Sequence, residues 1–424
     1  MALIDWKADM VRCERCSNCK WVPWQKGPGL EFAQVCPSIS KHNFHAYSGA
    51  GRYHSSLAYV TDKIGYTEGW LDIIYHCQMC GACDITCKTN RDMEPQEMLL
   101  ALRAQCVEDG QLVPALMDVM EGLKAEDNMM QSKKADRGNW AKGLKVKDLT
   151  KEKGEVLYFA GCRISFDKEL QKVARTAISV LKKAGVDVGI FGKEEACCGG
   201  RSYEMGYQGE IESFSENNAA MFKAAGIKKI VVSCSDCYHS FKVLYHKIGR
   251  KLDIEVLHIT EYIAQLIKEG KLKFSKSVPL RVTYHDPCHL GRLGEDWIPW
   301  NGVEKKVMGQ LVLHDPPKVF RRGKYGIYDA PREILRSIPG VKLTEMKRIE
   351  EYSFCCGAGG GCIDSDPDYS LWVAKERITE AKTTGAEAMV TACGWCERNF
   401  SDAVNETGDA LKIYDIIELV EQAI

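Results

Sequence analysis

Ile230-Val231-Val232-Ser233-Cys234-Ser235-Asp236-Cys237 and Ala388-Met389-Val390-Thr391-Ala392-Cys393-Gly394-Trp395-Cys396 are the two stretches on which the fold turns. Each is an apolar run of strand length that delivers a Cys-x2-Cys pair at its carboxyl end. Gly226 stands eight residues before Cys234 and Gly385 eight before Cys393, so the two stretches share a register. Upstream, Cys197-Cys198-Gly199 precedes the first pair and Cys355-Cys356-Gly357 the second, with Cys162 and Cys288 further back. One five-cysteine order therefore occurs twice. The back of the chain is an internal duplication.

The residues between these cysteines alternate strand and helix, the mark of an α/β unit. In the first copy the expected strands are 155–160, 186–191 and 230–233. Between the first two, Leu170, Val173, Ala174, Ala177, Ile178 and Leu181 form one apolar helical stripe that stops at Gly185. The second copy repeats the plan with strands at 280–284, 341–346 and 388–392. Each copy closes on an apolar helix, with Thr260 and Asp415 as the expected caps. In both copies the cysteines fall where strands end, as ligands do in open α/β sheets. The two halves are expected to face one another across a pseudo-two-fold.

The front of the chain carries a second kind of constellation: Cys13, Cys16 and Cys19 with Cys36 after an insertion, then Cys77, Cys80, Cys83 and Cys87. Three thiolates at Cys-x2-Cys-x2-Cys spacing suit three corners of a [4Fe–4S] cube, and in two-cluster ferredoxins the fourth cysteine of each run serves the other cube. That crossing assigns one cube to Cys13, Cys16, Cys19 and Cys87, and the other to Cys77, Cys80, Cys83 and Cys36. Two departures stand out: Cys36 lies far beyond Cys19, and Lys88 replaces the usual proline after Cys87. The insertion, 20–35, carries Trp21, Pro23, Trp24 and Phe32, and either wraps the first cube, meets a partner or folds on its own aromatics. Zinc is the competing metal, and the ferredoxin triplets favour iron over it. Segments 57–74 and 95–123 read as helical, with Pro95 near a start and Pro114 interrupting. This domain resembles the mostly helical double-cubane domain of succinate dehydrogenase iron–sulfur subunits.

The chain has 424 residues, a formal net charge of −1 and 20 cysteines. That length predicts two or three domains, and the balanced charge gives no sign of nucleic acid. Cysteines clustered as Cys-x2-Cys units in a long chain point to metal or redox sites in a reducing cytosol instead of a disulfide scaffold. No secretory signal and no run of about 18 apolar residues is present, so the expectation is a cytoplasmic protein, or one held to a membrane through partners. The lysine-rich stretch 126–154 is the expected linker between a first domain, 1–125, and the duplicated domains at 155–275 and 276–424.

The duplicated pattern resembles the CCG-domain pair of heterodisulfide reductase catalytic subunits, and Tyr284-His285-Asp286-Pro287-Cys288-His289-Leu290-Gly291-Arg292 with Tyr328-Asp329-Ala330-Pro331-Arg332-Glu333 is similar to that family's second half. The resemblance is to the fused form, in which ferredoxin-like and CCG modules share one polypeptide; relatives of this build include the electron-transfer subunit of class II benzoyl-CoA reductase complexes. It implies an α+β multidomain chain: a helical double-cubane domain, then two α/β CCG domains. It also implies one noncubane [4Fe–4S] cluster on Cys162, Cys197, Cys198, Cys234 and Cys237, and another on Cys288, Cys355, Cys356, Cys393 and Cys396. In that family the two clusters are thought to act on a substrate disulfide.

Eighteen of the 20 cysteines are thus spoken for, and Cys106 and Cys362 are spare, expected as buried packing. The second copy departs from the first in an insertion at 293–327, with Trp297, Trp300, Arg321 and Arg322, which reads as a docking surface, a cover over the disulfide pocket, or a loop without a role. Gly357-Ala358-Gly359-Gly360-Gly361 is expected to let backbone approach the cluster. His239, His285 and His289 are candidates for donating a proton or a hydrogen bond at a cluster, with a structural role as the alternative. The expectation is an oxidoreductase subunit passing electrons through two cubanes to two noncubane clusters, within a larger anaerobic complex. The alternative is a relay subunit without a disulfide substrate. The lack of a flavin or nicotinamide fingerprint puts the two-electron donor, a flavoprotein or other redox subunit, on another chain.

Overall fold

A computed structural model describes residues 2–26, 29–89, 91–308 and 311–424. Its centre is a pair of parallel sheets. The first takes β1 (Lys147–Asp148), β2 (Val156–Phe159), β3 (Val188–Ile190), β4 (Lys229–Val232) and β5 (Glu255–His258) in the order β1-β3-β2-β4-β5. The second takes β6 (Leu280–Tyr284), β9 (Val341–Leu343), β10 (Ala388–Thr391) and β11 (Lys412–Asp415) in the order β9-β6-β10-β11. Matching β2 to β6, β3 to β9, β4 to β10 and β5 to β11, the order is the same in both.

The halves pack reciprocally. Helix Gln171–Lys183 of the first lies on Ile416–Ala423 of the second, and Ile259–Lys268 of the first on Asp329–Ser337 of the second. Each contact is the other's equivalent, which is the geometry of an isologous, two-fold interface. Gly226 and Gly385, used to register the copies, both take left-handed backbone (φ +76° and +70°) just past equivalent helices, Glu210–Ala225 and Pro367–Lys382, where glycine costs least.

In the front domain the expected continuous helix over 57–74 is two helices, Gly49–Tyr59 and Glu68–Tyr75, because the polar turn between them, with Asp62 at φ +56°, breaks the ladder. Pro95 and Pro114 each sit in the first turn of a helix, Pro95–Glu108 and Pro114–Glu126.

Segment 126–154 is not a free linker. Trp140 and Leu149 are buried, β1 adds to the edge of the first sheet through Lys147–Gly189 pairing, and the exposed lysines occupy the outer face. The cap of Ile259–Lys268 is His258 instead of Thr260: His258 Nδ1 accepts from the Thr260 N–H while Glu261 reaches back to the His258 N–H at 2.9 Å. Asp415 caps its helix as expected, accepting from the Ile417 N–H.

Candidate iron–sulfur centres

Two tight loops and one helix gather the front cysteines. Cys87, at the end of helix Ala82–Lys88, faces Cys13, Cys16 and Cys19; Cys83 faces Cys36, Cys77 and Cys80. The Ala50 N–H points at Cys19 Sγ, 3.4 Å away. Burial pushes Cys36 up to about 12, so an apolar pocket of this kind suits thiolates only once a cation is present. A cavity lined by Cys36, Cys77, Cys80, Cys83 and Arg52 lies among the second set. Gly49 separates the sets: a Cβ there would stand 3.4 Å from the Cβ atoms of both Cys19 and Cys83. Of the eight, Cys16 is exposed.

The ten cysteines of the duplicated half form two sets with one wiring. Side chains within hydrogen-bonding reach run Cys162, Cys197, Cys198, Cys237, Cys234 in the first and Cys288, Cys355, Cys356, Cys396, Cys393 in the second. The local backbone is the same in each: Gly199 N–H lies 3.4 Å from Cys197 Sγ, and Gly357 N–H 3.4 Å from Cys355 Sγ. Cys234 and Cys393 stand at helix N-termini, where backbone N–H groups favour a thiolate. The buried thiols share protons, some pulled down and their neighbours pushed up. Cys162 is held at about 7 by a hydrogen bond from Cys197, against burial and with help from the Arg137 guanidinium. Soft sulfur donors crowded this closely in dry surroundings are the chemistry of an iron–sulfur site.

Two contacts join the sets into one line. Cys234 reaches Cys393 across the pseudo-two-fold, and Cys80 of the front domain reaches Cys355. Buried arginines pin this assembly. Arg103, on helix Pro95–Glu108, donates to the carbonyls of Ile74, Tyr75, Cys77, Glu204 and Gly360 at 2.7–3.3 Å, so one guanidinium ties all three modules together. Arg292 donates to the Cys80, Glu351 and Ser353 carbonyls, and Arg137 lies 3.6 Å from Cys162 Sγ. The glycine run approaches the front-domain loop: a Cβ at Gly359 would stand 2.4 Å from the Gln78 carbonyl oxygen, and one at Gly360 2.5 Å from that of Cys77.

The departures from pattern have structural jobs. Lys88 is buried and paired to Asp84 at 2.6 Å and Glu94 at 3.1 Å, the latter also held by Lys318 at 3.2 Å. Insertion 293–327 forms a hairpin, β7 (Val303–Val307) with β8 (Leu311–Asp315), whose flanks reach the front domain through Lys318 and through Arg322, which donates to the Lys88 carbonyl at 3.0 Å. Insertion 20–35 closes on a Trp21–Gln34 bridge, and its Phe32 stacks under Arg348 while Trp24 stays exposed; Gly27 and Pro28 lie outside the described residues. Cys106 and Cys362 are buried, and Cys362 Sγ lies 3.4 Å from the Tyr75 carbonyl oxygen.

The three histidines differ. His239 Nδ1 lies 2.8 Å from the Leu293 carbonyl oxygen. Burial alone would lower His289, but Glu204, Cys288 and Asp236 hold it well above the usual histidine range. His285 lies against Cys356 and Cys396, a ring nitrogen and both sulfurs falling within 4.8 Å of one another. Arg103 and Arg137 had no signal in the sequence, because neither lies in a motif.

A family model described as "Cysteine-rich domain" matches residues 156–242 and 311–401, and a "4Fe-4S dicluster domain" model matches 9–90. One of the subunits of the dihydromethanophenazine:CoB–CoM heterodisulfide reductase of Methanosarcina mazei is 30% identical over 425 residues, covering 98% of this chain and 94% of its own. The chain belongs to the family of that heterodisulfide reductase polypeptide. It is an iron–sulfur oxidoreductase subunit by descent, with similarity reaching further afield. The probable iron-sulfur-binding oxidoreductase FadF of Bacillus subtilis is 29% identical, covering 96% of this chain and 54% of its own. The EtfAB:quinone oxidoreductase of Syntrophomonas wolfei is 29% identical, covering 83% and 46%. This chain thus spans about half of each of those two. Among the described residues no helix is long and apolar enough to cross a membrane.

Proposed function

We propose that this chain carries electrons from a partner at its Cys16 face to a pair of five-thiol sites that cleave a thiol-derived disulfide. Cys13, Cys16, Cys19 and Cys87 would hold one cubane, and Cys36, Cys77, Cys80 and Cys83 the other. Cys162, Cys197, Cys198, Cys234 and Cys237 would hold one noncubane [4Fe–4S] cluster, and Cys288, Cys355, Cys356, Cys393 and Cys396 its counterpart. When bound, these groups supply one-electron steps and, at the five-thiol sites, affinity for sulfur.

The protein's own residues do the rest. Arg103 and Arg292 hold the modules in contact. His289, between Glu204 and Asp236, keeps a proton beside Cys288, which suits a reaction that takes two electrons and two protons and yields two thiols. The observation that carries this reading is the meeting of two complete five-thiol sets at Cys234 and Cys393, which gives a disulfide one site for each sulfur. Module bounds near 1–125, 155–275 and 276–424 fit it, with 126–154 counted with the first α/β module.

A relay subunit without a disulfide substrate, fed by a flavoprotein or other redox subunit, is the second reading, supported by the similarity to FadF and to the EtfAB:quinone oxidoreductase, whose names carry no disulfide. Protein purified anaerobically should contain about sixteen iron and sixteen sulfide, as four clusters require. With a reduced one-electron dye it should turn over a heterodisulfide. Full iron without turnover would favour the relay, and zinc in place of iron would sink both.

A further inference from the structure

The duplication contains its own control. Tyr158 pairs with Val231 and Tyr284 with Val390, each three residues before an equivalent cysteine, so Phe159 and His285 are equivalent positions. Their surroundings match: Phe159 meets Phe241 edge-on at 4.9 Å and 89°, and His285 meets Phe400 at 4.8 Å and 84°. A second exchange accompanies the first. Asn218, eight residues before Gly226, donates to the Cys197 carbonyl at 2.9 Å, whereas Arg377, eight before Gly385, turns its Nε to His285 Nδ1 at 3.2 Å.

That pairing fixes the imidazole. A guanidinium has only N–H donors, so Nδ1 must present a lone pair and the ring proton sits on Nε2. Glu380 and Ser353 Oγ hold the other arms of Arg377, Glu380 being shared with the equally buried Arg348. His285 is itself buried, its Nε2 has no hydrogen-bond partner among the described residues, and a ring nitrogen lies within 4.8 Å of the Cys356 and Cys396 sulfurs, with Nδ1 already taken by Arg377. An imidazole bound to iron through Nε2 would carry its proton on Nδ1, against the Arg377 N–H. The geometry therefore excludes a ligand and selects a donor.

We propose that His285 donates its Nε2–H to the Cys356 and Cys396 sulfurs of the second five-thiol site, and that this bond, absent from the first half, makes the two sites unequal. The inference rests on the iron–sulfur reading of that site. Cys198, the counterpart of Cys356, faces the hydroxyl of Ser240, whose proton goes to the Asp236 carbonyl. A donor at a cluster sulfur stabilises the more negative, reduced state, so His285 raises the potential of the second site above the value that site would have with the first half's phenylalanine. That site touches Cys80, so the effect falls where the front domain meets the duplicated half.

The test is electron–nuclear double resonance on the reduced, anaerobically purified protein in H2O and D2O, with a redox titration of each five-thiol signal. The expected result is an exchangeable proton coupled to the second site beyond those of the Gly357 N–H and of His289, which also lie at its sulfurs. It should vanish in His285→Phe, which installs the first half's residue, with iron and sulfide unchanged, the second site's potential moved negative and the first site's unmoved. His285→Gln, which keeps an N–H, should recover part of the shift. A nitrogen coupling of direct-ligand size, or an unchanged set of exchangeable protons or an unmoved potential in His285→Phe, each overturns the proposal. Should that variant not fold, the second site's potential in His285→Gln decides, an unmoved value overturning the proposal. If no four-iron group assembles at the second site of the wild type, the iron–sulfur reading fails and takes the proposal with it. If the group assembles without the proton, only the proposal falls.

Discussion

Cys80 and Cys355, 275 positions apart in the chain, stand within hydrogen-bonding reach of one another, and Arg292 sits beside both with its Nε donating 2.6 Å to the Cys80 carbonyl. This is the point at which the front cysteines meet the duplicated half. With Gly49 on one side and the Cys234–Cys393 contact on the other, it completes a line of sulfur from exposed Cys16 to Cys162.

Removing a link in that line should separate its ends. Cys80→Ser is expected to lower the iron content by about four while leaving the five-thiol sites filled. Reduction of the second site by a protein donor should then slow by on the order of tenfold or more, about 1.4 kcal/mol of barrier. Freeze-quench paramagnetic resonance checks this, and an unchanged rate would mean that electrons enter elsewhere.

Arg103→Met removes the guanidinium donor from five backbone carbonyls, of which that of Tyr75 keeps the Cys77 N–H. Each loses a charge-assisted bond that burial makes costly to leave unmade, so the expected loss is about 4 kcal/mol. Anaerobic thermal melts followed by circular dichroism measure it. A loss below about 1 kcal/mol would show that the modules do not depend on this pin.

Gly360→Ala puts a methyl 2.5 Å from the Cys77 carbonyl oxygen at a left-handed position (φ +58°). The backbone it meets is fixed by Arg103, so the variant is expected to cost about 2 kcal/mol or more and to loosen the front domain from the second half. Limited proteolysis should then cut between them faster than in wild type. Equal rates would contradict the close approach.

His258 is buried and neutral, held down to about 4 by burial, while an unfolded chain titrates it near 6.5. Between these values the unfolded state binds the extra proton. Stability therefore rises with pH through that window and is lost as pH falls from about 6.5 to about 4, by about 3 kcal/mol in all. His258→Asn keeps a helix cap without a titrating ring, and denaturant melts across that range should show a flatter acid limb for it. An identical limb would assign the slope to the carboxylates alone.

The duplicated half was legible because its information is local and repeated: strand runs, the Gly226 and Gly385 stops, and cysteines at fixed offsets. The front cysteines follow local spacing in the same way, and Cys87 lies near Cys13, Cys16 and Cys19 while Cys83 lies near Cys36, Cys77 and Cys80. Long-range pairing hid the rest. Lys88 reads as a lost proline until Asp84, Glu94 and Lys318 come into view; 126–154 reads as a linker because its lysines dominate the composition while Trp140 and Leu149 do the packing. The helix over 57–74 fails on a turn that apolar periodicity ignores, and the cap fails because histidine is an unusual choice there. The insertion at 293–327 spends Lys318 and Arg322 on its own front domain, which composition alone could not distinguish from a surface for a partner.

The reciprocal packing of Gln171–Lys183 on Ile416–Ala423 and of Ile259–Lys268 on Asp329–Ser337 has a historical meaning. An interface built from the same surface used twice is what two copies of one polypeptide make when they pair. Fusion of such a pair frees each half to mutate without altering its twin. Phe159 and His285, or Asn218 and Arg377, are differences that two products of a single unduplicated gene could never have acquired.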